Sequence, residues 1–309
     1  MAEPADNFIP ELYAKEIDYA LTATTVAAQI CANNYTFNKG NTVNIWTPGR
    51  VTARNVAADT ALAAAESLAG TNTPRAITRQ ADYHFGLGSS DIQDSELDLE
   101  SIYLSSVSLE EIPQKIDSYI LGLYAGLPAG NVYTPTAALS STNINEQLAA
   151  LRTKVTKLKI PEAGRWLVVS PEVVERLSVN TANKATALGD KMSAEWMPSV
   201  SGYVGFFHGF HIFQSLNVAN TTENLIGDAT NENVFKCIAG YTQNFTIPTT
   251  GETKRVGSIV YAQKADPNDI IRYRPESGFD YAYKGRVRFD AWVMGTAAAP
   301  KMVLWNAIV

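Results

Sequence analysis

The chain is poor in the residues that usually carry chemistry. It has two cysteines in 309 residues, Cys31 and Cys237, far apart and in no metal-ligand spacing. A disulfide framework and a zinc site are both unreadable there, and two buried, reduced thiols are the plainer expectation. Only three histidines occur, His84, His208 and His211. The His208-Gly209-Phe210-His211 spacing invites a metal, but residues three apart on a strand face opposite sides, and no nearby cysteine completes a site. There is no excess of positive charge. The 25 Lys and Arg stand against 31 Asp and Glu, for a net −6, with pI about 5.2. That excludes a protein whose main task is gripping nucleic acid. No run approaches the roughly 20 apolar residues of a membrane helix, so no membrane partner is expected. The opening Met1-Ala2-Glu3-Pro4-Ala5-Asp6 lacks the basic and apolar regions of a secretory signal. No internal repeat is visible, and the one biased tract is Ala-rich, from Ala57 to Ala65.

Catalytic motifs are missing as well. Gly86-Leu87-Gly88-Ser89-Ser90-Asp91 lacks the third glycine of a dinucleotide fingerprint and opens no βαβ unit. No phosphate-cradling Lys-Ser/Thr loop, serine nucleophile elbow or zinc-protease helix occurs. Scattered carboxylate pairs read as surface charge. The residues therefore assign no catalytic group, no cofactor and no metal.

What is present is a large foldable core. The hydrophobic fraction is 46%, and a chain of this length calls for two packed subdomains. Leu12, Ile17, Tyr19, Ala20, Val26 and Ile30 give the first thirty residues a loose helical spacing. Residues 41 to 55 alternate through Val43 and Ile45, with a turn at Pro48-Gly49 and a second extended piece from Val51 to Asn55. Residues 76 to 87 alternate again through Ile77, Arg79, Ala81, Tyr83 and Phe85. Between the two lies a polar, small-residue segment ending in Gly70-Thr71-Asn72-Thr73-Pro74. The pattern predicts a long two-stranded excursion with too little apolar material for its own core.

Leu109, Ile112, Ile116, Tyr119, Ile120, Leu123 and Leu127 mark a helix over 109–127. Ser108 and Glu111 resemble its capping box, and Pro113 forces either a start near Ile112 or a kink. Next comes an αβα alternation. Asn143 and Glu146 cap a helix bearing Leu148, Leu151, Val155 and Leu158. Arg165 to Val169 is a buried strand, and Ser170-Pro171-Glu172 starts another helix. Strands follow at 210–218, 234–247, 258–263, 270–274 and 283–294.

This order of elements carries a resemblance. The arm opens with Phe8-Ile9-Pro10-Glu11-Leu12-Tyr13. The middle holds Ile160-Pro161-Glu162-Ala163-Gly164-Arg165-Trp166-Leu167-Val168-Val169-Ser170-Pro171-Glu172. The end holds Arg272-Tyr273-Arg274-Pro275-Glu276, Phe279 and Gly285-Arg286-Val287. Over nearly its whole length the chain resembles the major capsid proteins of tailed bacteriophages, which adopt the Hong Kong 97-like capsid fold. The resemblance implies an α+β fold with an N-terminal arm (1–38), an extended β loop (39–86), a peripheral domain with a long spine helix (87–130), an axial α/β domain (131–265) and a return to the peripheral sheet (266–309). It implies self-assembly as pentamers and hexamers into an icosahedral head that encloses double-stranded DNA. The protein would be made in the host bacterial cytoplasm and end in the virion, with a portal and possible decoration or cement proteins as partners. Because the arm motif begins at Phe8, just after Met1, a separate scaffolding protein is expected rather than a fused, cleaved one. Two other classes fit less of the pattern: an encapsulin-like shell that encloses cargo protein, and an α/β enzyme with an unrecognised site.

Charge is segregated along the chain. From Lys39 to Phe85 the bases are Lys39, Arg50, Arg54, Arg75 and Arg79 against Asp59, Glu66 and Asp82, a net of +2. From Gly86 to Gln114 the acids Asp91, Asp94, Glu96, Asp98, Glu100, Glu110 and Glu111 meet no base, a net of −7. Arg50, Arg54, Arg75 and Arg79 are thus candidate inter-subunit contacts for Asp94, Glu96, Asp98 and Glu100; an ordinary solvated charge run is the competing explanation. The apolar end Met302-Val303-Leu304-Trp305-Asn306-Ala307-Ile308-Val309 should be buried, in its own core before a neighbour's. Some relatives cross-link through a lysine on the extended loop. This chain has no lysine from Gly40 to Gln114. Assembled particles should therefore run on a denaturing gel as a single band near the 33.6 kDa chain mass, and a ladder of covalent oligomers would refute this.

Overall fold

The computed structural model of the chain describes residues 25–37, 42–47, 53, 64, 71–89, 92, 98–180, 202–227, 231–246, 253–264, 271–276, 280–296 and 299–309. The helical spacing before Thr25, the Pro48-Gly49 turn and most of the extended piece at 51–55 lie outside the described residues.

A short helix α1 (Ala27–Ile30) leads into β1 (Cys31–Phe37). The strand β2 (Thr42–Thr47) pairs antiparallel with β3 (Thr71–Ala76), from Thr42 opposite Ala76 to Thr47 opposite Thr71. The returning strand of the excursion is thus 71–76, including Pro74, which an edge strand tolerates; among the described residues each strand of the ribbon pairs on one side. The alternation at 79–87 forms a separate strand, β4 (Arg79–Leu87), which leaves the ribbon and joins a sheet.

The long helix begins earlier than its apolar spacing suggests. Helix α2 (Leu99–Ser106) is capped by Asp98, whose side chain accepts from the Ser101 amide at 3.2 Å. The chain passes through a π turn at Val107–Glu111 into α3 (Ile112–Leu121) and ends in a 3₁₀ turn, Gly122–Gly126. The Ser108–Glu111 pair is therefore mid-helix, and no helix starts there. The π turn explains Pro113: it sits where the proline ring would otherwise meet the carbonyl four residues back.

Two sheets follow. Helix α4 (Ile144–Lys157) and helix α5 (Pro171–Val179) flank the strand β6 (Arg165–Val169), whose five residues are all buried. The eight-stranded sheet runs β5 (Val132–Tyr133), β17 (Val303–Ile308), β10 (Glu232–Thr246), β6, β8 (Phe210–Gln214), β7 (Tyr203–Phe207), with β9 (Asn220–Glu223) and β11 (Thr253–Gly257) also paired to β10. The five-stranded sheet runs β1, β12 (Ile259–Lys264), β14 (Tyr281–Val293), β13 (Ile271–Tyr273), with β4 on the other side of β14. A small pair, β15 (Gly295–Thr296) and β16 (Ala299–Pro300), closes the connection to β17. The apolar terminus is buried in its own core, every residue of β17 included. It does not stay with the 281–293 strand, however. It crosses into the eight-stranded sheet between β5 and β10, because only a central strand there can bury both of its apolar faces.

The two sheets share one hydrophobic core. Ile120 and Leu121 of the long helix, Ile259 and Ala291 of the five-stranded sheet, and Trp166, Ile238 and Trp305 of the eight-stranded sheet belong to one cluster. The chain passes between sheets at Ser258, which is fully buried. Its amide donates to Tyr241 O at 2.8 Å, its hydroxyl accepts from the Tyr241 amide at 2.9 Å and donates to Lys301 O, and its carbonyl accepts from Met294 N at 2.8 Å.

The segment carrying Gly164-Arg165-Trp166 has a local physical reason. Gly164 sits at φ +67°, and a Cβ there would lie 2.1 Å from Thr242 O. Arg165 is buried and donates to Pro161 O (2.8 Å), Ile160 O (2.6 Å) and Thr156 Oγ1 (3.0 Å), holding the turn onto α4. The Trp166 ring stands over Gly240, where a Cβ would come within 2.6 Å of it. Gly164→Ala should lower stability by about 2 kcal/mol or more, since both backbone strain and a backbone clash oppose it. Gly227→Ala, also at positive φ but with nothing within 4 Å, should cost only about 1 kcal/mol. Urea midpoints of the two variants would check the order.

Candidate assembly surfaces

Helix α1 is the point where the N-terminal segment joins the body, and charged groups hold both of its ends. Asp117, fully buried on α3, accepts through Oδ1 from the Val26 and Ala27 amides, each at 2.8 Å. Its Oδ2 accepts from Asn217 Nδ2 at 2.9 Å and Ser215 Oγ at 3.2 Å, in the loop after β8. Arg255 of β11 donates to Ala28 O at 3.0 Å and to Gln29 O, and Thr242 Oγ1 donates to Ile30 O. Thr242 in turn accepts from Trp166 Nε1 at 2.9 Å. A four-residue helix cannot satisfy its own ends. Here the long helix supplies the acceptor and the eight-stranded sheet the donors.

A second buried carboxylate, Asp290 on β14, fixes the base of the ribbon. It accepts from the Thr78 amide (3.0 Å), Thr78 Oγ1 (2.9 Å), Tyr119 Oη (2.7 Å) and its neighbour Ala291 N (2.9 Å). Val43 of β2 is buried with Ala262, against Ile77, Trp292 and Met294. The ribbon is thus bolted to the sheet at its base. Among the described residues, β2 and β3 otherwise pair with each other. Beside the base an open groove of about 550 Å³ is lined by Arg75, Arg79, Tyr119, Leu123, Leu127 and Trp292, among others.

The proposed charge partners divide three ways. Arg50, Arg54, Asp94 and Glu96 lie outside the described residues. Arg75 is half-buried and lines the groove. Arg79, Asp98 and Glu100 have partners within the chain. The Arg79 guanidinium lies 5.3 Å from the Tyr119 ring centroid, Asp98 caps α2, and Glu100 pairs with Arg272 at 3.5 Å. Arg272 also stacks over Tyr281 at 4.0 Å, so the late Arg-Tyr-Arg segment clasps the start of the long helix. Composition missed Asp117, Asp290 and Arg255. For Asp117 a signal existed: it shares the apolar stripe of Ile120 and Leu121, where a carboxylate needs donors.

The remaining titratable groups read as structural. Burial pushes the Cys31 thiol far up and Cys237 up to about 12, so both stay protonated and unreactive. His208-Gly209 forms the tip of the β7–β8 hairpin, both residues at positive φ, 47° and 84°. Burial, then the Arg152 charge, lowers the His208 pKa. Lys236, buried, bonds Glu223 at 2.8 Å and holds that carboxyl below its usual range.

No sequence family and no curated protein matches the chain. Solved structures do. A chain described as Mycobacterium phage Che8 superposes with a TM-score of 0.68 at 19% identity, covering 98% of each chain. The capsid of Ralstonia phage GP4 gives 0.73 at 11% identity, covering 100% of this chain and 97% of that one. The chain has a phage capsid fold. The capsid fold also reaches a virus-like particle from Pyrococcus furiosus, at a TM-score of 0.51 and 13% identity over 91% of this chain and 92% of that one.

In this capsid fold the N-terminal junction depends on Asp117. Asp117→Ala should cost about 3 kcal/mol, because it leaves the Val26 and Ala27 amides and the Asn217 amide without an acceptor. The urea midpoint should fall, and the Val26 and Ala27 amides should exchange with deuterium faster than those of β6.

Proposed function

We propose that the chain is the major capsid protein of a tailed phage, a shell subunit that acts by self-assembly. The supporting observation is end-to-end coverage in both directions by capsid chains: 98% and 98% in one case, 100% and 97% in another. The ribbon supports the same reading. A two-stranded ribbon is marginal in water on its own, and an adjoining subunit would supply a surface for it.

In the proposed head, subunits group as pentamers and hexamers around packaged double-stranded DNA, and the protein resides in the virion. Without a lysine between Gly40 and Gln114, the contacts are noncovalent. The Pyrococcus furiosus similarity keeps a cargo-enclosing shell as the second reading, and particle contents distinguish the two. Electron microscopy of the purified chain, expressed with its neighbouring structural proteins, should show closed icosahedral particles. Nucleic acid inside supports the phage head. Protein cargo supports the second reading, and a monomer by light scattering under all conditions rejects both.

A further inference from the structure

The five-stranded sheet has two faces of opposite character. Phe289, Tyr283 and Gly285 of β14, with Tyr83 and Phe85 opposite on β4, form one face. Phe289 meets Tyr119 of the long helix edge-on at 5.6 Å, and Arg272, opposite Tyr283, reaches Glu100. This is the face the long helix covers. On the other face Lys284, Arg286 and Arg288 alternate along β14. Their cross-strand neighbours are His84, Asp82 and Gln80 on β4, Ile271 on β13 and Lys264 on β12. Lys284, Arg286 and Ile271 are exposed. An open cavity of about 410 Å³ lies there, lined by His84, Tyr273, Lys284 and Arg286 among others. His84 Nε2 and Tyr273 Oη are 2.8 Å apart, and Lys284 Nζ sits 4.8 Å from the Tyr273 ring centroid. Four bases thus share a face with two acids, Asp82 and Asp290, the latter two residues beyond Arg288 and already bonded to Thr78, Tyr119 and Ala291, and the bases on β14 repeat at about 6.8 Å, every second residue of a strand.

The acidic stretch carries the complementary charge: Asp94-Ser95-Glu96-Leu97-Asp98 holds three carboxylates in five residues, of which Asp98 is already engaged as the cap of α2. Within one chain this stretch leads into α2, whose Glu100 is already bound to Arg272 on the helix-covered face. The basic face is on the far side of the sheet from that contact.

We propose that the Lys284, Arg286 and Arg288 face is the docking surface for the acidic segment around Asp94 and Glu96 of a second copy of this chain. The inference rests on the shell reading. Opposite charges would set which strand face meets which segment, while adding little to affinity.

The test uses the full chain. Wild-type particles are scored first, and failure to form them would count against the shell reading itself. Lys284→Glu, Arg286→Glu and Arg288→Glu together should slow assembly by about tenfold, read by light scattering at low salt, with circular dichroism and thermal melting unchanged. Asp94→Lys with Glu96→Lys should give the same loss from the other side. Combining all five substitutions should restore particles. Wild-type assembly kinetics in either reversed variant would overturn the proposal, as would a combined variant no better than the single-sided ones. A reversed face that assembles normally but leaves particles without nucleic acid would also overturn it, assigning the surface to a polyanion instead.

Discussion

Asp117 is a carboxylate with no access to water, and the architecture converges on it. One oxygen ends the N-terminal segment by accepting the Val26 and Ala27 amides. The other gathers Ser215 and Asn217 from the loop after β8 of the eight-stranded sheet. Burying a charge without donors costs several kcal/mol; four donors offset that, and only one arrangement of three elements provides them. The energetic gain over an apolar residue at that position is small. What the carboxylate supplies is uniqueness. If the long helix turned by one residue or α1 shifted along it, a charge would be left unpaired. Arg255 and Thr242 apply the same logic to the carbonyl end of α1. A subunit that must present surfaces in fixed relation to its copies benefits from such all-or-none contacts more than from additional apolar area.

The same requirement explains why the sheets exchange strands. The chain leaves the eight-stranded sheet at Ser258, runs through β12 and β14, and returns at Lys301 for β17. Two bodies joined by a single linker would hinge by default. Here two crossings meet at one buried serine, Gly240 lies under Trp166 and Ser258 with no room for a Cβ, and one core runs through both sheets. Asp290 extends the rigidity outward by fixing Thr78 and Tyr119. The base of the ribbon is therefore fixed to the body, through Val43 of β2 as well as through Thr78.

Elements whose residues face the core on both sides were legible in the sequence. Arg165–Val169, the helix after Ser170-Pro171, and the apolar terminus all stand where the pattern put them. The start of the long helix was not legible, because Leu99–Ser106 carries Glu100 and a weak apolar stripe; the Asp98 cap before it and the Glu100–Arg272 pair hold it. The return strand of the ribbon was misplaced because Thr71–Ala76 has no apolar alternation, only backbone pairing with β2. The crossing of β17 into the other sheet was hidden for a similar reason. Burial is readable from composition, but the choice of neighbour depends on Ser258 and Lys301, far apart in sequence. Charge segregation was visible as a pattern, while its partners were not: Asp98 and Glu100 turned out to be bound within the chain.

That last point bears on how a shell of such subunits would hold together. An exposed ion pair contributes about 0.2–1 kcal/mol and is screened by salt, so charge cannot be the glue. In the proposed head the adhesion would come from the ribbon and the groove at its base, where Tyr119, Leu123, Leu127 and Trp292 line the surface beside Arg75 and Arg79. The segregated charges would act earlier, during encounter. A subunit with a net −6 spread evenly would repel every copy in every orientation. Collecting seven acids into one stretch and the bases on a strand face leaves most orientations repulsive and makes a few attractive. Misplaced subunits would then dissociate before their apolar contacts close. A closed shell built from weak contacts requires this kind of error correction, and it favours individually modest interactions repeated in register over any single strong one.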